Sequence, residues 1–500
     1  MSDNLFQHIR RAADPARPLL HLPGQPPLSY ADCLAVAARF AHVLAHHGVK
    51  PGDRVAVQVE KSPNALCLYL ACLRVGAVYL PLNTGYTPAE LAYFVGDAEP
   101  RLFVCATKNL EKIAAALPSQ AFLTLDDDGN GGSLVHEARA MPSDFADANV
   151  TGSDLASILY TSGTTGRSKG AMLSHGNLVS NAETLKALWR FTADDVLLHA
   201  LPIFHIHGLF VACNITLISG ASMILLPKFD LDAIFRALPS ATVMMGVPTF
   251  YTRLLADPRL GAEVTRNIRL FVSGSAPLLA DTHRDWQART GHAILERYGM
   301  TETNMNTSNP YDGARVPGSV GLPLPGVALR ISDKDGTVLP QGEIGLIEVR
   351  GPNVFQGYWR MPDKTAAEFR PDGFFITGDL GRIDENGYVH ILGRDKDLII
   401  SGGFNVYPKE IESLIDELPG VTESAVVGLP HRDFGEGVTA CVVTGKGAQL
   451  TEKAVLEALS GRLAKFKHPK RVLFVDELPR NTMGKVQKKL IREQFRNLYD

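Results

Sequence analysis

The sequence predicts an α/β fold: a large N-terminal domain of parallel-type sheets with a β-barrel-like section, and a smaller C-terminal α+β domain. Three observations lead there. Strand and helix patterns alternate up to about residue 150 and again from Asp154 to about Pro325, as parallel sheets with helical crossovers require. After Pro325 short apolar runs are punctuated by Gly, Pro, Asp-Gly and Asn-Gly, which suits antiparallel or barrel strands. From Lys396 a compact unit of about 100 residues follows, an ordinary domain size, so the chain divides at 1–395 and 396–500. A length of 500 residues accommodates two or three domains at roughly 150 each.

Ser29 to His47 opens with Ser-Tyr-Ala-Asp and repeats apolar residues at helical spacing. Arg54 to Val59 reads as a strand, Ala65 to Val75 as a helix and Ala77 to Leu82 as a strand. Pro88 to Asp97 is helical and Arg101 to Cys105 extended. Further on, Val243 to Val247 is a strand, Thr249 to Leu255 a helix and Leu270 to Ser273 a strand. Leu329 to Ile331, Gly345 to Val349, Gly387 to Leu392 and Leu398 to Ile400 are short β-like runs. The C-terminal unit predicts helices over Pro408 to Glu417, Thr451 to Leu463 and Lys485 to Phe495. Its strands are Val421 to Gly428, Val438 to Val443 and Arg471 to Val475.

Composition excludes several classes. Hydrophobic residues are 45% and charged residues 21%, which rules out a disordered chain. Lys+Arg is 50 and Asp+Glu 53, a net charge of −3 that gives no reason to expect nucleic acid. The six cysteines (33, 67, 72, 105, 213 and 441) form no C-x-x-C pair, so reduced, buried thiols of a cytoplasmic protein are expected. Met1 to Arg11 contains no signal-peptide core. The most apolar stretch, Ala65 to Leu82, is broken by Arg74, Gly76 and Pro81 and fails as a membrane span.

The most informative stretch is Leu159-Tyr-Thr-Ser-Gly-Thr-Thr-Gly-Arg-Ser-Lys-Gly170. Hydroxyls and glycines at this density after an apolar strand make a loop that wraps a polyphosphate, with Arg167 and Lys169 adding charge. A Walker A loop is not satisfied. The plainer alternative is a solvated Ser/Gly linker, which fits poorly between a strand and a patterned segment. Further motifs follow in order: Tyr298-Gly-Met-Thr-Glu-Thr303, Phe375-Ile-Thr-Gly-Asp379, Gly393-Arg-Asp-Lys-Asp-Leu-Ile-Ile400 and Asn481-Thr-Met-Gly-Lys485.

Together these five motifs resemble those of the adenylate-forming superfamily of acyl-CoA synthetases, firefly-type luciferases and adenylation domains. The resemblance implies an AMP-forming enzyme in which a carboxylate attacks the α-phosphate of ATP and a thiol then takes the acyl group. Cations and donors must surround the α-phosphate as two anions meet. By the same resemblance Lys485 is the catalytic lysine, Thr301 donates to the α-phosphate, and Glu302 holds Mg²⁺, which suits an ion bound mostly by phosphates. Asp379 takes the ribose hydroxyls beside Arg394. The nucleotide is expected on Thr161, Ser162, Gly163, Thr164, Thr165, Gly166 and Lys169. Its base is expected against Gly274, Ser275, Ala276 and Pro277, and against Glu296, Arg297, Tyr298, Gly299 and Met300. Each residue has a plainer reading alone: Glu302 a helix-terminal acid, Asp379 a turn residue, Lys485 a surface lysine.

The resemblance further implies a mobile C-terminal domain pivoting at Lys396, with Gly402 and Gly403 lining the tunnel for coenzyme A. Between Arg462 and Arg492 ten basic side chains stand against Asp476 and Glu477 alone, a charge that suits a phosphorylated thiol as well as a solvated helix face. The acid is expected between Pro202-Ile-Phe-His-Ile-His-Gly208, the helix after Val247 and the loop after Glu302. There His205, grouped with the catalytic residues, and His207, Ser273 and Met305 meet Arg253, one turn beyond Thr249. Gly246 to Arg253 and Tyr298 to Pro310 resemble malonyl-CoA synthetases, so the expected reaction is malonate + ATP + CoA to malonyl-CoA, AMP and diphosphate. Arg253 would clasp the distal carboxylate or be a surface arginine. Methylmalonate stays open as a second acid. The alternatives are a short- or medium-chain fatty acyl-CoA synthetase and a non-catalytic nucleotide-binding relative. No membrane partner is expected, and no carrier-protein domain follows in the chain.

Overall fold

The computed structural model describes residues 4–161, 168–402, 404–445, 447–460, 462–481 and 484–499. Two large sheets dominate the N-terminal domain. One has six strands in the order Phe122–Thr124, Leu102–Cys105, Arg54–Gln58, Val78–Pro81, Leu155–Thr161 and Lys169–Ser174, parallel except for the last pair. The other has nine, with Leu295–Met300, Leu270–Ser273, Val243–Gly246, Val196–His199 and Ser222–Leu225 forming its parallel centre. Helices Tyr30–His46, Pro63–Val75 and His175–Leu188 contribute to the apolar core these sheets share.

The helix Pro63–Val75 explains why the most apolar stretch of the chain is no membrane span. Ser62 caps it by accepting from the Ala65 amide, Pro63 pre-sets its first turn, and Gly76 ends it at φ +76°. Every residue from Ala65 to Val75 is buried. Arg74 tolerates this because its Nε meets Asp147 at 2.6 Å and its other nitrogens donate to the carbonyls of Leu34 and Phe145. Among the described residues no helix is long and apolar enough to cross a membrane.

The section after Pro325 is an antiparallel four-stranded sheet, Ala328–Ser332, Gly345–Arg350, Phe375–Ile383 and Val389–Arg394. Its third strand carries Gly378 at φ +71° and Gly381, residues that hide a strand from sequence patterning. The smaller C-terminal domain is built on Ile399–Ser401, Phe404–Val406, Val421–His431, Gly435–Thr444 and Arg471–Phe474, with helix Pro408–Asp416 packed on it. Two expected helices are shorter. Thr451 to Leu463 is helical only over Glu452–Leu459, because Ser460 is extended. Lys485 to Phe495 is helical only over Lys488–Gln494, because Gly484 at φ +74° precedes a turn. In that turn the Asn481 amide donates to the Lys485 carbonyl and the Lys485 amide donates to Asn481 Oδ1. Lys485 therefore stands on a loop.

Candidate active site

The C-terminal ends of the parallel strands and the antiparallel sheet converge on one cleft. The phosphate loop leaves from a closed rung: Thr161 pairs directly with Lys169 across antiparallel strands. Ser162, Gly163, Thr164, Thr165, Gly166 and Arg167 lie outside the described residues. Lys169 Nζ meets Glu368 at 2.9 Å and lies 4.0 Å above the Tyr358 ring. The Tyr358 hydroxyl lies 2.6 Å from Glu368 Oε2 and 3.0 Å from Glu302 Oε1, so a tyrosine bridges the loop lysine's counter-ion to Glu302. Burial pushes the Glu302 carboxyl upward, and Tyr358 opposes this by donating. Neither Tyr358 nor Glu368 lies in a recognised motif; in sequence Glu368 reads as a solvated acid near a helix end.

Asp379 and Arg394 face each other in the strand register, and Arg394 Nε meets Asp379 Oδ1 at 2.8 Å. The Tyr298 hydroxyl donates to the other Asp379 oxygen. Lys485, an exposed residue on its loop, comes near the same place: desolvation by the surrounding protein lowers its affinity for a proton, Arg394 adds to this, and Asp379 and Asp397 act against it. Its neighbour Gly484 lies against Thr249, whose side chain a Cβ there would meet at 3.4 Å. The loop thus abuts the helix Pro248–Leu255. Thr301 is half-buried at the tight turn after Met300, where Gly299 is obligatory because a Cβ would lie 1.8 Å from the Asn304 carbonyl.

The other half of the cleft is built differently. Arg297 is buried, its Nε and Nη2 have no partner, and burial pulls its pKa down to about 9. It lies across Gly274, where a Cβ would come within 2.4 Å of its Cζ. His205 is held down to about 4 by burial and by the charges of Arg297 and Lys485. His207 is pushed down by burial first, then by Arg297 and His205; its Nδ1 lies 3.2 Å from Ser275 Oγ and its Nε2 has no partner. Both imidazoles are therefore neutral. Ser273 is buried with an unpartnered hydroxyl, and Met305 is fully buried. Ser275 takes φ +71°, a left-handed turn that aims it into the cleft; Ala276 and Pro277 follow it.

The Glu296 carboxylate accepts from His283 and the Gly318 amide. Arg253 is exposed, not sunk in a pocket wall: Tyr251 and Leu254 take the inner positions of its short helix, and its guanidinium lies 5.2 Å above the Phe229 ring. Gly402 turns at φ +59° in the hairpin after Ile399–Ser401, while Gly403 lies outside the described residues. Lys396 is exposed in the short turn Asp395–Asp397.

Residues 9–359 match the AMP-binding enzyme family and residues 410–485 the AMP-binding enzyme C-terminal domain. The ATP-bound MatB structure from Rhodopseudomonas palustris superposes with a TM-score of 0.98 at 62% identity, covering 100% of both chains. A malonate–CoA ligase of Arabidopsis thaliana is 37% identical over 90% of this chain and 79% of its own. An indoleacetate–CoA ligase of Aromatoleum aromaticum is 38% identical over 93% of each. The chain belongs to the AMP-binding, adenylate-forming enzyme family.

Proposed function

We propose that this protein is a malonate–CoA ligase that makes malonyl-CoA, AMP and diphosphate through malonyl-AMP. Relatives of nearly equal identity act on malonate and on indoleacetate, so the pocket must decide the acid. The observation that carries the reading is Arg297: a buried guanidinium with two unpartnered nitrogens, beside neutral histidines and the orphan hydroxyl of Ser273. Such a cation is costly until an anion pairs with it. A methyl-terminated acid leaves it bare, whereas the distal carboxylate of a dicarboxylate satisfies it. Arg253, at the exposed rim, is the second guanidinium for that carboxylate. Methylmalonate fits the same chemistry.

In the first half-reaction Lys485 draws the reacting carboxylate and the α-phosphate together, and Thr301 donates to that phosphate. Asp379 releases one or both of its present partners to accept the ribose hydroxyls, and Arg394 remains beside it. Thr161 and Lys169 hold the polyphosphate together with the loop between them. Glu302 is a single, buried carboxylate with no cation paired to it among the described residues, which fits Mg²⁺ completed by phosphate oxygens. When bound, that ion neutralises charge on the departing diphosphate. In the second half-reaction residues 396–500 rotate about Lys396 as one domain against 1–395, and the absence of side chains at Gly402 and Gly403 admits the thiol arm of CoA. The test is ATP–pyrophosphate exchange with malonate, methylmalonate, propionate, butyrate and indoleacetate. Malonate should give the highest kcat/KM; faster exchange with a monocarboxylate overturns the assignment.

A further inference from the structure

Lys61 lies between the end of strand Arg54–Gln58 and Ser62, the cap of helix Pro63–Val75, and none of the mechanism above uses it. It is buried, yet no carboxylate pairs with it among the described residues. Its Nζ lies 2.7 Å from His199 Nδ1, 2.8 Å from the His199 carbonyl and 2.9 Å from the Leu201 carbonyl. His199 Nε2 lies 2.8 Å from the Gly208 carbonyl. A carbonyl only accepts, so Nε2 carries the proton and Nδ1 is an acceptor. Three acceptors then converge on one nitrogen, and only an ammonium has three protons to give. Burial pulls the Lys61 pKa down to about 7, with Cys213 acting against it.

The network clamps both ends of one loop. Lys61 holds residues 199 and 201, and His199 holds residue 208, where Gly is required because a Cβ would lie 2.0 Å from the Pro202 carbonyl. Between these clamps stand His205 and His207, with the Leu209 amide donating to the His205 carbonyl at 3.0 Å. Because Lys61 belongs to the six-stranded sheet's chain and His199 to the nine-stranded sheet, the clamp also ties the two sheets together at the cleft.

We propose that Lys61 is a positioning residue for acid recognition: it fixes the loop that sets His205 and His207 against Arg297. This rests on the reading of Arg297 and the two histidines as the acid site. The test measures KM for malonate and for ATP separately by pyrophosphate exchange in Lys61→Met, Ser275→Ala and the double variant. Ser275 anchors His207 from the opposite side of the cleft. The malonate KM of Lys61→Met should rise about tenfold or more, with the ATP KM changed less than about twofold. The double variant should be less impaired than the product of the single effects, since a loop already released loses little from a second lost anchor. Should Lys61→Met fail to fold, Lys61→Gln, which still donates to a carbonyl, carries the same cycle. Equal rises in both KM values, or effects that multiply, overturn the proposal. Arg297→Met measured alongside separates the two readings: if it leaves the malonate KM unchanged, the acid site itself is misassigned and the role of Lys61 falls with it.

Discussion

The two halves of the cleft differ in how their polar groups are satisfied. On the nucleotide side, Asp379 is held by Tyr298 and Arg394, and Lys169 and Tyr358 by Glu368. On the acid side, Arg297, His207 and Ser273 keep buried atoms without partners. Buried polar groups are ordinarily paired, so the first half reads as a prebuilt frame and the second as a complement to something that must arrive. The contrast teaches where specificity resides: a half already satisfied tolerates any acid, whereas an unsatisfied half demands a particular one.

The largest expected effect breaks the frame at the point where both halves meet. Lys485→Ala should lower malonyl-AMP formation by about a hundred- to a thousand-fold, while thioester formation from supplied malonyl-AMP is largely retained; rapid-quench assays of the two half-reactions read this directly. Equal losses in both steps, with the fold intact, would contradict a lysine dedicated to the first. Next, Arg297→Met addresses the unsatisfied half alone. A charge-assisted hydrogen bond nets about 1.5–3 kcal/mol, so kcat/KM for malonate should fall roughly ten- to a few-hundred-fold. Propionate should change little or improve, and if both acids fall alike, Arg297 serves the fold or the nucleotide.

A smaller effect sharpens the contrast through pH. His205 is held at about 4 against an ordinary 6.5. The unfolded chain therefore takes up a proton before the folded one as pH drops, and stability is lost between about pH 6.5 and 4. From pH 7 to 5 this amounts to about 2 kcal/mol. In His205→Gln the difference between urea denaturation at pH 7 and pH 5 should shrink by about that much; an unchanged difference means His205 is already solvated. The smallest effect belongs to Arg253→Met. An exposed guanidinium keeps much of its water and contributes less than a buried one, so malonate should lose only about three- to tenfold. A loss exceeding that of Arg297→Met would invert the ranking of the two arginines.

Much of the site was legible in the sequence because its loops need unusual residues. Gly and hydroxyl clusters mark the expected phosphate loop, whose residues 162–167 lie outside the described residues, and Gly378 and Gly484 at positive φ mark the turns beside Asp379 and Lys485. Gly378 concealed the strand Phe375–Ile383, and the turn after Gly484 delayed the start of the expected helix from Lys485 to Lys488. Arg297 was grouped with Glu296 and Tyr298 as its chain neighbours, and only its packing against Gly274 reveals where its guanidinium lies. Lys61 and His199 carry no local signal, since 138 positions separate them. The side chain of Arg253 obeyed the helical spacing, but that spacing says nothing about which face of so short a helix turns inward.

The pairing of Asp379 with Arg394 has a consequence for what escapes into solvent. Arg394 stands two positions before Lys396, on the last residue of strand Val389–Arg394. Under the proposed pivot at Lys396, rotation would carry Lys485 away but leave both members of this pair behind on the larger domain. On that proposal the ribose grip would outlast the departure of the lysine. A labile mixed anhydride would then stay tethered by its sugar through the interval when neither catalytic arrangement is complete, and its leakage to hydrolysis would be limited by Asp379 rather than by the speed of the swing.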